Sequence, residues 1–288
     1  MEPYWNLIKE IIRESDIILE VLDARAVEIS RNEVIEKMVR DWNVPRIFVV
    51  NKIDLVNKKD LELSVEKLLR EIENLQLGNR EAGRDEVVYV TNRRTKTIKI
   101  LIAKIRQMFK VFGKRKHFAP NPFIERPFRE AKADIVVGVI GYPNVGKSSI
   151  INALCFKKKA KVASKAGTTH GVHWLSAGKD IKLIDTPGVI PLAYVNESKL
   201  ALISSKNPEK LKDPDVAAGL IIEQFVKAGR VNRLEDFYGI KIEDKGDQFA
   251  IIEEIAKKKG HLKKGGLPDD TRVSIDILRD WQRGKLRL

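Results

Sequence analysis

The sequence contains very little cysteine and histidine, and it has no long hydrophobic run. Cys155 is its one cysteine, so no intramolecular disulfide can form and a reducing, intracellular setting is expected. The histidines (His117, His170, His173 and His261) are scattered without the spacing of a zinc site. No apolar run approaches the roughly 20 residues that a membrane helix requires. The amino terminus also lacks a signal-peptide core. These absences predict a cytoplasmic protein with no membrane partner.

Basic residues, by contrast, are abundant. The chain has 54 Lys and Arg against 40 Asp and Glu, a formal net charge of +14 at pH 7. Part of this charge is solvated surface, and a charge-rich composition also fits a thermophile. The excess is larger than solubility requires and favours a polyanionic partner such as RNA. Basic residues concentrate at 157–165, 257–264 and 272–287.

Short apolar runs alternate with amphipathic patterns through the first two thirds of the chain, which predicts an α/β fold with a mostly parallel sheet covered by helices on both faces. Residues 111–134 contain three prolines and are predicted to be a linker. After Pro191 the pattern is helical only. We therefore expect a nucleotide-type domain at 1–192 and a small, basic, all-helical domain at 193–288. Strands are predicted at 17–22, 46–50, 87–90, 135–140, 172–175 and 181–184, and helices at 4–14, 61–72, 97–109, 148–154, from 213 onward and at 270–283.

A phosphate-binding loop is predicted after the strand at 135–140. The segment Gly141-Tyr-Pro-Asn-Val-Gly-Lys-Ser148 is a complete G-x-x-x-x-G-K-S in the strand-to-helix context that the motif requires. Its backbone N–H groups can wrap a phosphate chain. Lys147 would reach the β- and γ-phosphates, and the Ser148 hydroxyl would bind Mg²⁺. The nucleotide contacts expected here are Asn144, Val145, Gly146, Lys147, Ser148 and Ser149.

The motif Asn51-Lys-Ile-Asp54 after the strand at 46–50 predicts that the base is guanine. The Asp54 carboxylate can accept hydrogen bonds from N1–H and the 2-amino group, a donor pair that adenine lacks. Asn51 would hold the loop and reach N7, and the stem of Lys52 would lie over the ring. After the next strand, Thr91 and Asn92 are expected to contact the base oxygen through their backbone.

A third element, Asp185-Thr-Pro-Gly188, follows the strand at 181–184. Asp185 is expected to hold Mg²⁺ through water, and the Gly188 amide to contact the γ-phosphate, so that the segment senses this phosphate. Between the P-loop and this segment lies Ala166-Gly-Thr-Thr169. Thr169 is the favoured residue to complete the Mg²⁺ shell, with Thr168 beside the nucleotide.

The order of these motifs is the reverse of that in ordinary small GTPases, in which the phosphate loop comes first. The sheet can still be assembled if the original termini are joined through residues 111–134, with the new break just after Gly188. The order is guanine motifs at 51–54 and 91–93, then the P-loop at 141–148 and the switch segments at 167–169 and 185–188.

This permuted order resembles the circularly permuted GTPases of ribosome biogenesis, a family that includes the bacterial large-subunit assembly GTPase. Val21-Leu-Asp-Ala-Arg25 looks like the family's amino-terminal motif, and residues 276–286 are similar to its terminal helix. The resemblance implies a helical C-terminal domain that binds ribosomal RNA, and the large ribosomal subunit as partner; DNA is not expected. The chain departs from the family pattern in lacking a proline close after Arg25 and a Trp-x-Pro-Gly-His start.

The resemblance also bears on catalysis. Signalling GTPases place a glutamine after the Asp-x-x-Gly segment, whereas this chain has Val189. The family implies such a hydrophobic substitution and an asparagine, here Asn144, that holds K⁺ against the phosphates. The expected catalytic residues are Lys147, Asn144, Thr169 and Gly188. We expect an assembly factor that hydrolyses GTP slowly without K⁺ and its ribosomal partner. Two alternatives stay open: a nucleotide-gated RNA-binding module with negligible turnover, and a GTPase that acts on another RNA such as tRNA.

Overall fold

The computed structural model describes residues 2–78, 85–91, 93–115, 135–155, 173–185, 197–203 and 207–288. The chain divides into two compact units. The first consists of Met1–Asp54 and Glu62–Ala193, and the second of Leu55–Leu61 and Tyr194–Leu288.

Within the described residues, six strands of the first unit form one sheet in the order β3-β2-β1-β4-β6-β5. Neighbouring strands are parallel except β5 and β6, which are antiparallel. The prediction of a mostly parallel α/β fold is confirmed. The strands are β1 Ile17–Asp23, β2 Arg46–Asn51, β3 Asp85–Tyr89, β4 Ile135–Ile140, β5 His173–Ala177 and β6 Ile181–Asp185.

The three central strands are buried along their whole length. Every residue of β1, β2 and β4 is buried, as expected for parallel strands with both faces covered. Their sequences are accordingly almost continuous apolar runs. Gly138 in β4 permits a close approach of the first helix, because a Cβ atom there would lie 2.4 Å from Ser15 Oγ.

Helices cover this sheet, and two of them were not predicted from the sequence. The unpredicted helices, α2 and α3, are short, and α3 buries only Ile35, Glu36 and Val39. Such a narrow face offers too few apolar positions for a helical period to be recognised. The helices are α1 Glu2–Glu14, α2 Val27–Ser30, α3 Glu33–Asp41, α4 Lys58–Gly78, α5 Thr95–Phe112 and α6 Lys147–Leu154.

One carboxylate holds both ends of the predicted joint between the original termini. Asp16 accepts hydrogen bonds from the backbone N–H of Arg115 at 3.0 Å and of Val136 at 2.8 Å. Residues 116–134 of the joint lie outside the described residues. The chain just after α5 and the start of β4 are therefore both bound by a residue of the α1–β1 connection.

The second unit is helical in its described part, apart from an isolated bridge between Leu262 and Pro268. Its core centres on Trp281, whose ring packs edge-to-face on Phe225 at 6.0 Å and whose Nε1–H donates to the Leu202 carbonyl at 2.7 Å. No helix in the described ranges of either unit is long and apolar enough to cross a membrane. The helices are α7 Glu197–Leu202, α8 Pro214–Lys227, α9 Val231–Tyr238, α10 Gln248–Lys259 and α11 Asp270–Gln282.

Candidate functional site

The parallel strands bring the predicted motifs to one edge of the sheet. Asp23, the last residue of β1, is in register with Asn51 at the end of β2. Likewise Asp185, the last residue of β6, is in register with Val139 near the end of β4. Since ligands of open α/β sheets bind outside the carboxyl ends of the strands, this edge is the candidate site.

The loop after β4 has the backbone conformation of a phosphate-binding turn. Gly141, Asn144 and Gly146 all have positive φ angles, of 144°, 61° and 107°. No described side chain caps the start of α6, so the N–H groups of this helix end face the loop without a capping group. The ammonium of Lys147 donates to the carbonyl oxygens of Gly141 and Tyr142, each at 2.7 Å. This arrangement of amides and one buried cation can bind an anion such as phosphate.

Asn51 joins the guanine-type loop to the phosphate-type loop. Its Nδ2 donates to the Val145 carbonyl at 2.9 Å, across 94 positions of sequence. A Cβ atom on Gly146 would lie only 2.1 Å from this nitrogen, so the contact needs glycine at that position. This hydrogen bond is a contact through which Asn51 can hold the loop, as the sequence predicts. The two loops, predicted to bind opposite ends of one nucleotide, are in direct contact.

Lys52 makes a second connection between the same loops. Its ammonium donates to Asp23 Oδ2 at 2.7 Å and to the Asn144 carbonyl at 2.8 Å. Lys52 has a φ of 64°, and Asn144 is the other non-glycine residue here with positive φ. Three segments, the ends of β1 and β2 and the P-loop, therefore meet at one cation.

Asp23 is the residue at this edge whose role sequence reasoning missed. Its side chain is fully buried and also accepts from Arg25, at 3.0 Å from Nε and 2.8 Å from Nη2. Burial alone would raise the pKa of the Asp23 carboxyl, but Arg25 and Lys52 together outweigh burial and hold that pKa well below its usual range. The available signal was an aspartate at the end of a mostly apolar strand, and it was recognised from the sequence only as part of a family motif.

Asp54, predicted to recognise guanine, lies in a short 3₁₀ turn, Ile53–Leu55. Its carboxylate accepts from the Thr91 hydroxyl at 2.7 Å and pairs with Arg93 Nε at 3.1 Å. The structure thus brings Asp54 and Thr91 together, while Asn92 lies outside the described residues. A carboxylate has about four lone-pair positions, so these two contacts still permit it to accept from a base.

The residues expected to hold Mg²⁺ are only partly described. Ser148 is half-buried in the first turn of α6, and Asp185 ends the strand beside the one that leads into the P-loop. A hydroxyl and a carboxylate are the oxygen ligands that Mg²⁺ prefers, so the residue types fit the ion. The Asp185 side chain, and Thr168, Thr169 and Gly188 entirely, lie outside the described residues, as does Val189.

The fold and this edge define a class of protein: a P-loop nucleotide-binding protein with its guanine-type loop ahead of its phosphate loop. Comparison with known proteins leads to the same class. A family model described as "50S ribosome-binding GTPase" matches residues 136–253. The match starts at the P-loop strand and leaves out the upstream residues 51–54, as a permuted order requires. The chain belongs to the family of circularly permuted ribosome-biogenesis GTPases, as its motif order predicted.

Similar proteins come from archaea and eukaryotes. An "uncharacterized GTP-binding protein" of Methanocaldococcus jannaschii is 34% identical over 99% of this chain and 66% of its own length. In Saccharomyces cerevisiae, nucleolar GTP-binding protein 2 is 32% identical over 98% of this chain and 52% of its own length. Nuclear GTP-binding protein NUG1 of the same yeast is 28% identical over 99% and 55%. The chain thus spans about half to two thirds of the length of these curated relatives.

A solved structure shares the fold. GNP-bound YlqF from T. maritima is 22% identical and has a TM-score of 0.55, with 99% of this chain and 95% of that chain covered. At this level of identity the likeness concerns the arrangement of strands and helices, including the helices that follow the sheet.

Proposed function

We propose that this protein binds GTP with Mg²⁺ at the edge formed by β1, β2, β4 and β6 and hydrolyses it to GDP and phosphate. The observation that supports this most directly is the hydrogen bond from Asn51 to the Val145 carbonyl. It places a guanine-type loop directly against a phosphate-type loop, so both can contact one nucleotide. A chance N-K-x-D sequence after a strand would have no reason to contact a P-loop.

The proposed division of roles follows the position of each residue. Asp54 accepts from N1–H and the 2-amino group of guanine, supported by Thr91, and the backbone of Asn92 reaches the base oxygen. Asn51 and Lys52 hold the base loop against the P-loop. The phosphate contacts come from the loop amides and the Lys147 ammonium. The residues that line the phosphates in this proposal are Asn144, Val145, Gly146, Lys147, Ser148, Ser149, Thr168, Thr169 and Gly188.

Mg²⁺ would be held by Ser148, Thr169 and, through water, Asp185. The ion would neutralise charge on the β- and γ-phosphates. Lys147 is the described residue best placed to add positive charge there, because its ammonium is already fixed inside the loop. Asn144 supports the K⁺ part of the proposal: its backbone is held in a left-handed conformation by Lys52, and its side chain is exposed.

The proposed partner is the large ribosomal subunit, bound through its RNA. The net charge of +14 favours a polyanion, and the family description names the 50S subunit. Two yeast relatives are named as nuclear or nucleolar GTP-binding proteins. In the second unit, Lys263 and Lys264 are exposed in the connection between α10 and α11, where they are available to phosphate groups. Hydrolysis at the nucleotide edge would then time release from RNA.

The base specificity is tested by the substitution Asp54→Asn. Asparagine presents one acceptor and one donor, which complement N1–H and the 2-carbonyl of xanthine instead of the two donors of guanine. Affinity for GTP should fall by about a hundredfold or more, because two charge-assisted hydrogen bonds are lost. Affinity for xanthosine triphosphate should rise. Competition binding with a fluorescent nucleotide measures both.

The matched control is Asp41→Asn, the same change at an exposed residue at the end of α3. It should leave both affinities within about a factor of two, as for a surface substitution outside a site. Equal GTP binding by wild type and Asp54→Asn would contradict the guanine assignment.

Turnover is tested by measuring phosphate release from GTP in K⁺ and in Na⁺ buffer, with and without purified large ribosomal subunits. The proposal expects slow release in Na⁺ and faster release with K⁺, with subunits, or with both. Tight GTP binding without turnover under any of these conditions would identify a nucleotide-gated binding module instead. Stimulation by tRNA or other RNA, but not by subunits, would point to a different RNA partner.

A further inference from the structure

The second residue of the P-loop is anchored from outside the loop. Tyr142 is among the largest fully buried side chains of the described residues, with 2% of its surface exposed. Its hydroxyl oxygen accepts a hydrogen bond at 3.2 Å from Nδ2 of Asn32, a residue 110 positions away. Asn32 belongs to the connection between α2 and α3 and to none of the motifs described above.

The orientation of the Asn32 amide is fixed by its other contacts. Its Oδ1 accepts from the Ile35 N–H at 3.1 Å and so caps α3. Because the oxygen must face that N–H, the nitrogen must face Tyr142. Asn32 is thus held at two points, the Ile35 N–H and the Tyr142 hydroxyl, and has little freedom to turn away from the loop.

Tyr142 in turn holds Lys147. The Tyr142 carbonyl oxygen is one of the two acceptors, both at 2.7 Å, for the Lys147 ammonium. A ring that is fully buried and anchored at its hydroxyl fixes the peptide that carries this carbonyl. Burial raises the pKa of the Tyr142 hydroxyl, so it stays neutral at physiological pH and can accept from the amide.

We propose that Asn32 is a positioning residue for nucleotide binding: through Tyr142 it fixes the carbonyl group that orients Lys147 in the phosphate loop. This inference rests on the proposed function, because Lys147 is assigned to the phosphates there. A helix cap alone needs only a side-chain oxygen, which serine or aspartate supplies equally well. The amide nitrogen of Asn32 is the part that the cap leaves unused, and it is the part that contacts the P-loop.

The test distinguishes the role of Asn32 as a helix cap from its role as an anchor for Tyr142. Asn32→Ser keeps a capping oxygen but is too short to reach Tyr142, and Tyr142→Phe keeps the ring but removes the hydroxyl. Each variant should bind GDP and GTP about threefold to tenfold more weakly, the range expected for one hydrogen bond. Because both remove the same contact, the double variant should lose no more than the weaker-binding single variant. The ratio of GDP to inosine diphosphate affinity should stay unchanged, since the base contacts are not touched.

Asn207→Ser is the matched control. Asn207 caps the turn Pro208–Lys210 through its Oδ1, which accepts from the Glu209 N–H at 3.1 Å, and it belongs to the second unit. It should leave nucleotide affinity unaltered. Thermal unfolding without nucleotide shows whether each variant is folded.

Three results would overturn the inference. In the first, Asn32→Ser and Tyr142→Phe bind nucleotide as tightly as wild type, whatever their unfolding temperatures. In the second, the two losses multiply in the double variant, which means that the residues act independently. In the third, the GDP to inosine diphosphate ratio changes as much as the affinities, which indicates general loosening of the site. Failure of the wild-type protein to bind any guanine nucleotide would instead refute the proposed function, and this inference with it.

Discussion

In the described part of the first unit, strand β1 contributes an acidic side chain to each of two clusters of buried charge. The edge cluster consists of Asp23, Arg25 and Lys52, at the carboxyl end of the strands. The inner cluster consists of Glu20, Glu36, Arg46 and Asp85, on a covered face of the sheet. Both combine carboxylates with cations at hydrogen-bonding distance, so their chemistry is alike. Their surroundings differ.

The inner cluster is closed. Arg46 is 1% exposed, and its guanidinium lies 3.1 Å from Glu20, 2.5 Å from Asp85 and 4.1 Å from the centre of the Phe48 ring. It joins the first three strands to α3 and has protein groups on every side. The edge cluster is open at Lys52, whose side chain is 21% exposed and whose ammonium reaches the P-loop carbonyl of Asn144. Of these two clusters, only the edge cluster connects the loops that are proposed to bind the nucleotide.

The largest effect on stability is expected from removing the cation of the inner cluster. Arg46→Met keeps most of the side-chain volume but leaves the acidic side chains of Glu20, Glu36 and Asp85 without their shared cation. Breaking a buried pair from one side costs about 3–5 kcal/mol, so the free energy of unfolding should fall by about that amount. Urea unfolding measures it.

The comparison also predicts what Arg46→Met leaves intact. GDP affinity, measured where the variant is still folded, should change by less than about threefold, because no residue of this cluster is assigned to the nucleotide. Arg70→Met is the matched control: Arg70 is 72% exposed and pairs with Glu66 on the surface of α4. It should cost less than about 1 kcal/mol. A large loss of affinity in Arg46→Met would show that the two clusters are coupled.

The contrast between the clusters also shows how much sequence could predict. The apolar run at 135–140 predicted its strand because a strand that is buried on both faces consists almost entirely of apolar residues. A glutamate inside Ile17–Leu22 was visible, but its partner Arg46 lies 26 positions further along the chain. Asp85, the second acidic partner of Arg46, lies another 39 positions beyond Arg46. No local sequence pattern predicts these pairs, because only the register of neighbouring strands brings the residues together.

In the candidate site, too, local sequence patterns were predictable and tertiary contacts were not. The P-loop and the N-K-x-D segment were predictable because each is a local backbone shape with its own residue requirements. Asp23 and Asn32 were not predictable, because each acts through a tertiary contact, with Lys52 and with Tyr142. The beginning of β3 at Asp85 was missed for a related reason: an acidic residue opens the strand because it pairs with Arg46.

The next largest effect is expected from a substitution in the edge cluster. Lys52→Met removes the cation between Asp23 and the Asn144 carbonyl, so the P-loop loses a hydrogen bond to the base loop. GDP affinity should fall by about tenfold to a hundredfold, the range for losing charge-assisted hydrogen bonds. Stability should fall by less than in Arg46→Met, because Asp23 keeps both bonds from Arg25.

Equilibrium titration of GDP and urea unfolding give the two numbers for Lys52→Met. Lys37→Met, at an exposed lysine of α3, is the control and should change neither. The comparison would fail if Lys52→Met destabilised the fold as much as Arg46→Met and left GDP affinity unchanged.

The last prediction concerns the pH dependence of stability. Burial raises the pKa of Glu20 to about 8, with Arg46 opposing the shift and Glu36 adding to it. Between its ordinary value of 4.5 and this raised value, Glu20 is protonated in the folded state and ionised in the unfolded state. Folding then takes up a proton, so the free energy of unfolding should decrease as pH rises from 5 to 8. The limit is about 1.4 kcal/mol per pH unit for one proton.

The pH dependence that Asp23 gives to stability has the opposite sign to that of Glu20. The two clusters can therefore be distinguished without adding a ligand. Its pKa is depressed when folded, so its contribution is complete above its ordinary value of 3.8 and is lost only as pH falls below that value. The inner cluster should therefore weaken the fold toward alkaline pH, and the edge cluster toward acid pH. Glu20→Gln should flatten the slope between pH 5 and 8 and leave the acid limb in place, whereas Glu73→Gln, at an exposed residue of α4, should alter neither. Urea unfolding at pH 5, 6.5 and 8 decides the point, since an unchanged slope in Glu20→Gln would mean that another group takes up the proton.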